Sequence, residues 1–187
     1  PDYVRINPRC VVPTLVCDGR VTTDSPNILN FVISKLSNSD ISQKPSDHEF
    51  ESIALWLNKA DSLPIESFTY GDNRGTNKSF HLKKVANGGK SHEFKANLLR
   101  KLVKCHEHEK QLYEAYKSKL NIVENTLNII QTPTRMNALY DSADSTLTEL
   151  ETQLLSGPFK KNGWLASQKF SLADIVWGVV LYRLQKL

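Results

Sequence analysis

The strongest hydrophobic pattern in the sequence lies near its end, between Phe170 and Leu184. Apolar residues occupy almost every helical position there, which is typical of a helix enclosed by its domain. Ser171 and Asp174 have the spacing of a capping box, in which two side chains satisfy the unpaired N–H groups that begin a helix. The sequence therefore predicts a buried helix that begins at about Ser171.

The first 36 residues show a different pattern. Val11 to Val16 is rich in β-branched residues, but Pro13 cannot donate to a ladder, so it belongs at an edge or at the start of the strand, and a cis bond is open to it. Asp18-Gly19 between two apolar runs is a strong hairpin signal. Residues 24–26, a polar pair followed by proline, then predict the start of a helix. The predicted order is strand, hairpin, strand, helix.

The rest of the chain follows helical periods. A stripe of apolar residues begins after Asp47, and further helical patterns run from about Glu93 to Ile130 and from about Met136 to Leu155. The first stripe consists of Phe50, Ile53, Ala54, Leu57 and Ala60. Tyr70 to Gly89 contains four glycines among polar residues and predicts an irregular loop.

The fold class predicted from these patterns is an α/β unit followed by an all-α unit. Residues 1–36 form the first, 47–187 the second, and 37–46, rich in Ser, Asn, Asp and Gln, are the linker between them. The same composition fits a long exposed loop within one domain, so that alternative stays open.

Composition adds few constraints. The 187 residues are 40% hydrophobic and 24% charged, as in ordinary globular proteins. The three cysteines have no C-x-x-C spacing, which favours reduced thiols and a cytosol-facing compartment. Pro1 is not an initiator methionine and Leu187 falls within a predicted helix, so we expect a piece of a longer protein, incomplete at its end.

Basic charge is concentrated in one region. Between Lys78 and Lys119 there are eleven Lys and Arg against four Glu, a local balance of +7, although the whole chain carries only +4. Such a stripe favours an anionic membrane surface, and the alternative is a solvated helical face. Nucleic-acid binding is not expected, because no reader motif accompanies the charge. The residues expected at a membrane are Lys78, Lys83, Lys84, Lys90, Lys95, Arg100, Lys101 and Lys104.

The cysteines and histidines do not predict a metal site. Cys105 and His108 share one side of a helix, whereas His106 points elsewhere, and no second cluster completes four ligands. Cys10 and Cys17 flank the proline strand, where a redox or mixed-disulfide role is an open alternative.

Two groups of residues resemble cytosolic glutathione transferases. Residues 12–15 (Val-Pro-Thr-Leu), the Asp18-Gly19 hairpin and Asp24-Ser25 before a helix are similar to the second half of their thioredoxin-like domain. Residues 170–174 (Phe-Ser-Leu-Ala-Asp) resemble the capped core helix of their helical domain. The resemblance implies a partial thioredoxin-like unit followed by a transferase-type helical domain with a long helical insertion.

The same resemblance implies a glutathione half-site. The main-chain N–H and C=O of Val12, before Pro13, would pair with the cysteinyl backbone of glutathione. Ser25 and the first amides of the following helix would hold the γ-glutamyl carboxylate, and Asp24 would meet the ligand's ammonium. The alternative is that Pro13 only shapes an edge and Asp24-Ser25 only cap a helix. The catalytic Tyr, Ser or Cys of the family is expected before Pro1, so no catalytic residue is assigned.

A narrower resemblance points to the ganglioside-induced differentiation-associated protein family. It is carried by residues 61–65 (Asp-Ser-Leu-Pro-Ile), residues 68–71 (Phe-Thr-Tyr-Gly) and the inserted segment from about Tyr70 to Met136. It implies a protein of the mitochondrial outer membrane that acts in mitochondrial fission and redox homeostasis. An active glutathione transferase and a non-catalytic protein-interaction module are the alternatives, and a homodimer fits each of them.

Overall fold

The computed structural model describes residues 2–35, 46–71 and 78–187; within these ranges, the side chains of Ile33 and of residues 78–88 are not described. Over these ranges the chain is mostly helical, with one small sheet. Its elements are α1 (Asp2–Ile6), β1 (Thr14–Cys17), β2 (Arg20–Thr23), α2 (Ser25–Lys35), α3 (Asp47–Ser62), α4 (Ile65–Gly71), α5 (Lys78–Cys105), α6 (Lys110–Gln131), α7 (Pro133–Ser156) and α8 (Leu172–Gln185).

The chain divides into two compact units, each made of two segments. Unit one comprises Pro1–Asp24 and Glu66–Asn137, and unit two comprises Ser25–Ile65 and Ala138–Leu187. The predicted division at a linker stays a prediction, since residues 36–45 lie outside the described ranges. Among the helices that the structure describes, none combines the length and the apolar character needed to cross a membrane.

The predicted hairpin follows α1 in unit one. β1 and β2 pair antiparallel, with Val16 opposite Val21, and β1 starts directly after Pro13. Asp18 and Gly19 both have positive φ, 50° and 76°, as a two-residue hairpin turn with the right twist requires. The peptide bond between Val12 and Pro13 is cis, a form that the sequence left open.

The core of unit one lies between α1, α5 and α6. Four buried side chains, Val4, Leu112, Ala115 and Tyr116, form its centre, and Leu99, Leu102 and Val103 of α5 pack against them. Residues 2–6 form the short helix that contributes Val4 to this core.

Two boundary predictions in unit one are wrong. The helical pattern from Glu93 to Ile130 is two helices, because residues 106–109 form a turn in which the Glu109 N–H donates to the His106 carbonyl at 3.0 Å. Residues 78–89 belong to α5 and are not an irregular loop, although they include two glycines. Helix formation is cooperative, so a helix of 28 residues accommodates the weak helical propensity of those glycines. The remainder of the predicted loop, 72–77, lies outside the described residues.

Unit two is built on α3 and α8. The indole N–H of Trp177 donates to the Trp56 carbonyl at 2.8 Å, and the two rings meet edge to face at 5.9 Å. Trp56 is only 4% exposed whereas Phe50 is 65% exposed. The predicted α3 stripe was therefore wrong at Phe50, and the buried face of the helix is centred on Trp56 and Ala60.

The start of α8 is as predicted. Ser171 and Asp174 form a capping box, and the Asp174 carboxylate accepts from the Ser171 N–H at 2.8 Å and from its hydroxyl at 2.7 Å. It also accepts from the Leu165 N–H at 2.9 Å, which ties the preceding loop to the helix. The prediction that α8 is enclosed on all sides is wrong, because Val179 and Tyr182 are exposed.

Candidate functional site

The predicted glutathione half-site begins at a surface-exposed stretch before β1. Val12 is 82% exposed, and Pro13 beside it is also exposed. Within the part of the chain that the structure describes, no hydrogen bond engages the Val12 main chain. Its N–H and C=O are thus available to an extended peptide-like ligand, as strand-type recognition requires.

A buried asparagine fixes the main chain on both sides of Val12. Asn7 is 1% exposed, and its side-chain amide donates to the Val11 carbonyl at 2.7 Å and to the Thr14 hydroxyl at 2.9 Å. Its amide oxygen accepts from the Arg9 N–H at 3.1 Å. Each polar group of the Asn7 side chain therefore has a partner, as a buried amide requires.

Tyr3 completes this arrangement from α1. Its phenol donates to the same Val11 carbonyl and lies 2.9 Å from the Thr14 hydroxyl. Because a phenol has a single proton, the Thr14 hydroxyl is the donor in the second contact. We call Tyr3, Asn7 and Thr14 the polar clamp, since together they hold residues 11–14 in one conformation.

Asp24 lies in the same unit as Val12 and Pro13. It has φ of 70°, in the left-handed region, where aspartate is tolerated better than most residues. Its carboxylate forms an ion pair with Arg9, whose side chain is 63% exposed, while that of Asp24 is 34% exposed. The predicted partner of a ligand ammonium is therefore already paired with a cation of the chain.

Ser25 is the first residue of α2 and is exposed. It belongs to unit two, whereas Val12, Pro13 and Asp24 belong to unit one. The structure thus places three of the four predicted residues in one compact unit, and the assignment of all four to glutathione stays a prediction.

Sequence reasoning missed Arg9 and the polar clamp. An asparagine followed by proline, as at Asn7-Pro8, indicates only a turn. Nothing in the sequence pairs Arg9 with Asp24, fifteen positions later. The one sequence signal for the clamp was Asn7 directly before a proline, which lies where α1 ends.

The cysteines of this region are unpaired thiols. Burial raises the pKa of the Cys10 thiol, and the positive charge of Lys119 offsets only part of that shift. A protonated thiol is a poor nucleophile, so this environment argues against a redox role for Cys10 at neutral pH. The Cys17 thiol lies 3.6 Å from the Asp18 carboxylate.

The turn between α5 and α6 carries a separate polar cluster. His106 Nδ1 lies 2.9 Å from the Glu109 carboxylate, which also accepts a hydrogen bond from the Arg5 guanidinium at 3.1 Å. The hydrogen bond from His106 lowers the pKa of the Glu109 carboxyl. Among the described residues, no group of three His, Cys, Asp or Glu side chains is arranged to hold a metal ion.

Comparison with known proteins identifies relatives that are named as reductive dehalogenases or dechlorinases. Tetrachloro-p-hydroquinone reductive dehalogenase of Sphingobium chlorophenolicum is 31% identical over 188 residues, which cover 100% of this chain and 67% of that protein. The 2,5-dichlorohydroquinone reductive dechlorinases of two strains of Sphingobium indicum are 30% identical over 179 residues. That match covers 92% of this chain and 49% of each dechlorinase, so the chain spans about half their length.

Neither a protein-family model nor a solved structure matches the chain. The chain belongs to the glutathione S-transferase family, to which these relatives, reductive dehalogenases of the tetrachlorohydroquinone type, also belong. This confirms the broad resemblance found in the sequence, and the helical fold with its small sheet is compatible with it. The narrower resemblance to the ganglioside-induced differentiation-associated family is not shown by these relatives.

Proposed function

We propose that this protein is a glutathione-dependent enzyme that removes chlorine from chlorinated hydroquinones. The structural observation that supports glutathione binding is the exposed, unpaired main chain of Val12, fixed by the polar clamp on either side. The substrate class comes from the relatives, whose names describe reductive dehalogenation of chlorinated hydroquinones.

Each residue of the half-site has a defined part in this proposal. The Val12 N–H and C=O pair with the cysteinyl main chain of glutathione and so set the direction in which its sulfur points. The Asp24 carboxylate releases Arg9 and binds the ammonium group of glutathione in its place. Ser25 and the amide groups that begin α2 belong to unit two, and their part in holding the γ-glutamyl carboxylate stays an expectation of the family resemblance.

Glutathione supplies the reducing equivalents when it is bound. Replacing a carbon–chlorine bond by carbon–hydrogen consumes two electrons, and two thiols provide them by joining as a disulfide while chloride and a proton leave. The residues of this chain orient the tripeptide and hold the Val12 main chain still, which lowers the entropic cost of bringing sulfur to the ring.

The test uses the intact protein with glutathione and a chlorinated hydroquinone, with oxygen excluded. We expect one chloride released for each glutathione disulfide formed. Asp24→Asn should raise the KM for glutathione about tenfold, the loss of one charge-assisted contact. Asp18→Asn is the matched control, since Asp18 also has positive φ, 50°, but lies in the hairpin turn and should leave KM unchanged.

The outcome separates the competing functions. No chloride release, together with conjugation of glutathione to a simple electrophile such as 1-chloro-2,4-dinitrobenzene, would favour an ordinary transferase. No glutathione chemistry of either kind would overturn the proposal and favour a non-catalytic interaction module.

A second candidate is a function like that of the ganglioside-induced differentiation-associated family. The observation that favours it is the length of α5 and α6, 28 and 22 residues, which together make up much of the segment expected as the family's helical insertion. We propose on this ground a cytosol-facing homodimer at the mitochondrial outer membrane with a role in fission and redox homeostasis. Sedimentation equilibrium and fractionation of mitochondria test it: a monomer absent from the outer-membrane fraction would rule it out.

A further inference from the structure

Helix α5 has two opposite faces in the region where its side chains are described. One faces the core of unit one: Ala96 is fully buried, and Val103 packs against the cluster around Leu112. On the other face, Phe94 is 71% exposed and Leu98 is 48% exposed. Large apolar side chains on the solvent side of a helix are the feature that requires explanation.

The helical period places lysines on the same exposed stripe. At 3.6 residues per turn, positions four apart lie nearly in line, so Lys90, Phe94 and Leu98 follow one another along the helix surface. Lys101, seven residues after Phe94, returns to the same side. Two apolar side chains therefore lie between two cationic ones on this surface, and we call these four residues the α5 stripe.

The two lysines of this stripe differ from the basic residues beside them on α5. Arg100 forms an ion pair with Glu124, and Lys95 lies 3.7 Å from Glu66. By contrast, Lys90 and Lys101 form no ion pair with any residue in the described part of the chain. From Gly89 to Cys105 there are five Lys and Arg against one Glu, so the surroundings of the stripe are strongly positive.

We propose that the α5 stripe binds the surface of an anionic lipid bilayer. Phe94 and Leu98 insert between the headgroups, and Lys90 and Lys101 contact the lipid phosphates and carboxylates. A helix with an aromatic and an aliphatic side chain between lysines is the pattern of helices that lie in a membrane interface. The complementary charge of the surface selects an anionic bilayer over a neutral one.

Two other partners fit the stripe less well. A specific protein interface covers roughly 800 Å² on each partner, whereas only two apolar side chains project from this stripe. A nucleic acid would use the lysines but gains little from an exposed leucine. This inference does not depend on the proposed dehalogenation, since the stripe shares no residue with the glutathione half-site.

The experiment measures sedimentation of the intact protein with vesicles of phosphatidylcholine alone or mixed with phosphatidylserine. We expect binding only to the mixed vesicles, weakened by added salt. Lys90→Glu with Lys101→Glu should lower the partition coefficient at least about 25-fold, since each basic side chain at such a surface contributes about fivefold. Phe94→Ala with Leu98→Ala should lower it about tenfold or more.

Matched controls come from unit two. Lys160→Glu with Lys161→Glu changes the net charge by the same amount on an exposed 3₁₀ helix, and Phe50→Ala removes a phenylalanine that is 65% exposed on α3. Both should bind vesicles as the wild type does. Failure of the wild type to sediment with the mixed vesicles would overturn the proposal. So would equal losses in the stripe variants and the controls, or binding to duplex RNA or DNA that the vesicles cannot displace.

Discussion

Replacing Asn7 by alanine removes the centre of the polar clamp. The amide makes three hydrogen bonds, to the Val11 carbonyl at 2.7 Å, to the Thr14 hydroxyl at 2.9 Å and from the Arg9 N–H at 3.1 Å. Each contributes about 1 kcal/mol net, and a residue 1% exposed has no water to replace them. We expect Asn7→Ala to lower the free energy of unfolding by about 3 kcal/mol.

The same substitution should weaken glutathione binding. Without the amide, the Val11 carbonyl keeps only Tyr3, and the Val12 main chain loses its fixed conformation. Ordering that segment again on binding costs on the order of 1–2 kcal/mol per residue, so the Kd for glutathione should rise about tenfold. Urea unfolding followed by circular dichroism gives the stability, and calorimetry gives the Kd.

Two further variants make this reasoning refutable. Asn7→Asp keeps the acceptor for Arg9 but loses both amide donors and adds a buried charge, so it should destabilise more than Asn7→Ala. Asn162→Ala also loses an amide hydrogen bond, to the Gln168 carbonyl at 2.9 Å, but Asn162 is exposed and the cost should stay below about 1 kcal/mol. A cost below 1 kcal/mol for Asn7→Ala with an unchanged glutathione Kd would refute the clamp.

Four other variants test the ion pair and the caps. Arg9→Ala should lower the glutathione Kd by up to about fivefold in calorimetry, because a surface ion pair that the ligand must displace is worth at most about 1 kcal/mol. Asp174→Ala should cost about 2–3 kcal/mol in thermal unfolding, more than the roughly 1 kcal/mol of Ser171→Ala, since it loses three hydrogen bonds. The pKa of Glu49 is lowered by hydrogen bonds, most by the one from the Gln168 N–H and next by those from Ser46. The ionised Glu49 carboxylate therefore stabilises the fold fully above the ordinary glutamate pKa, and this stabilisation is lost as pH falls through the lowered pKa. Glu49→Gln should make the free energy of unfolding fall less steeply at acidic pH, as measured by denaturation at a series of pH values.

Features encoded within a few residues could be predicted from the sequence. The hairpin turn at Asp18-Gly19 and the cap at Ser171 each depend on neighbours in the chain, so their residue types alone specify them. The pairing of β1 with β2 follows from the turn, because a two-residue loop fixes the register.

Features that depend on distant residues could not be predicted. The apolar period of α3 fits several faces, and only the packing of Trp56 against Trp177, 121 positions away, decides which one is buried. The ion pair of Arg9 with Asp24 and the clamp around Asn7 are likewise set by the fold, since polar residues leave no periodic signal. The glutathione half-site was therefore predicted in its residue types but not in the contacts that control it.

The distribution of tryptophan gives the two units different optical signals. All three tryptophans of the sequence, Trp56, Trp164 and Trp177, belong to unit two. The edge-to-face pair of Trp56 and Trp177 is buried, so two of the three lie in an apolar environment. Indole emission therefore follows the unfolding of unit two alone, whereas far-ultraviolet circular dichroism follows the helices of both units. In a denaturant titration, a fluorescence midpoint that differs from the dichroism midpoint would show that the units unfold in separate steps, and coincident midpoints would show one cooperative step.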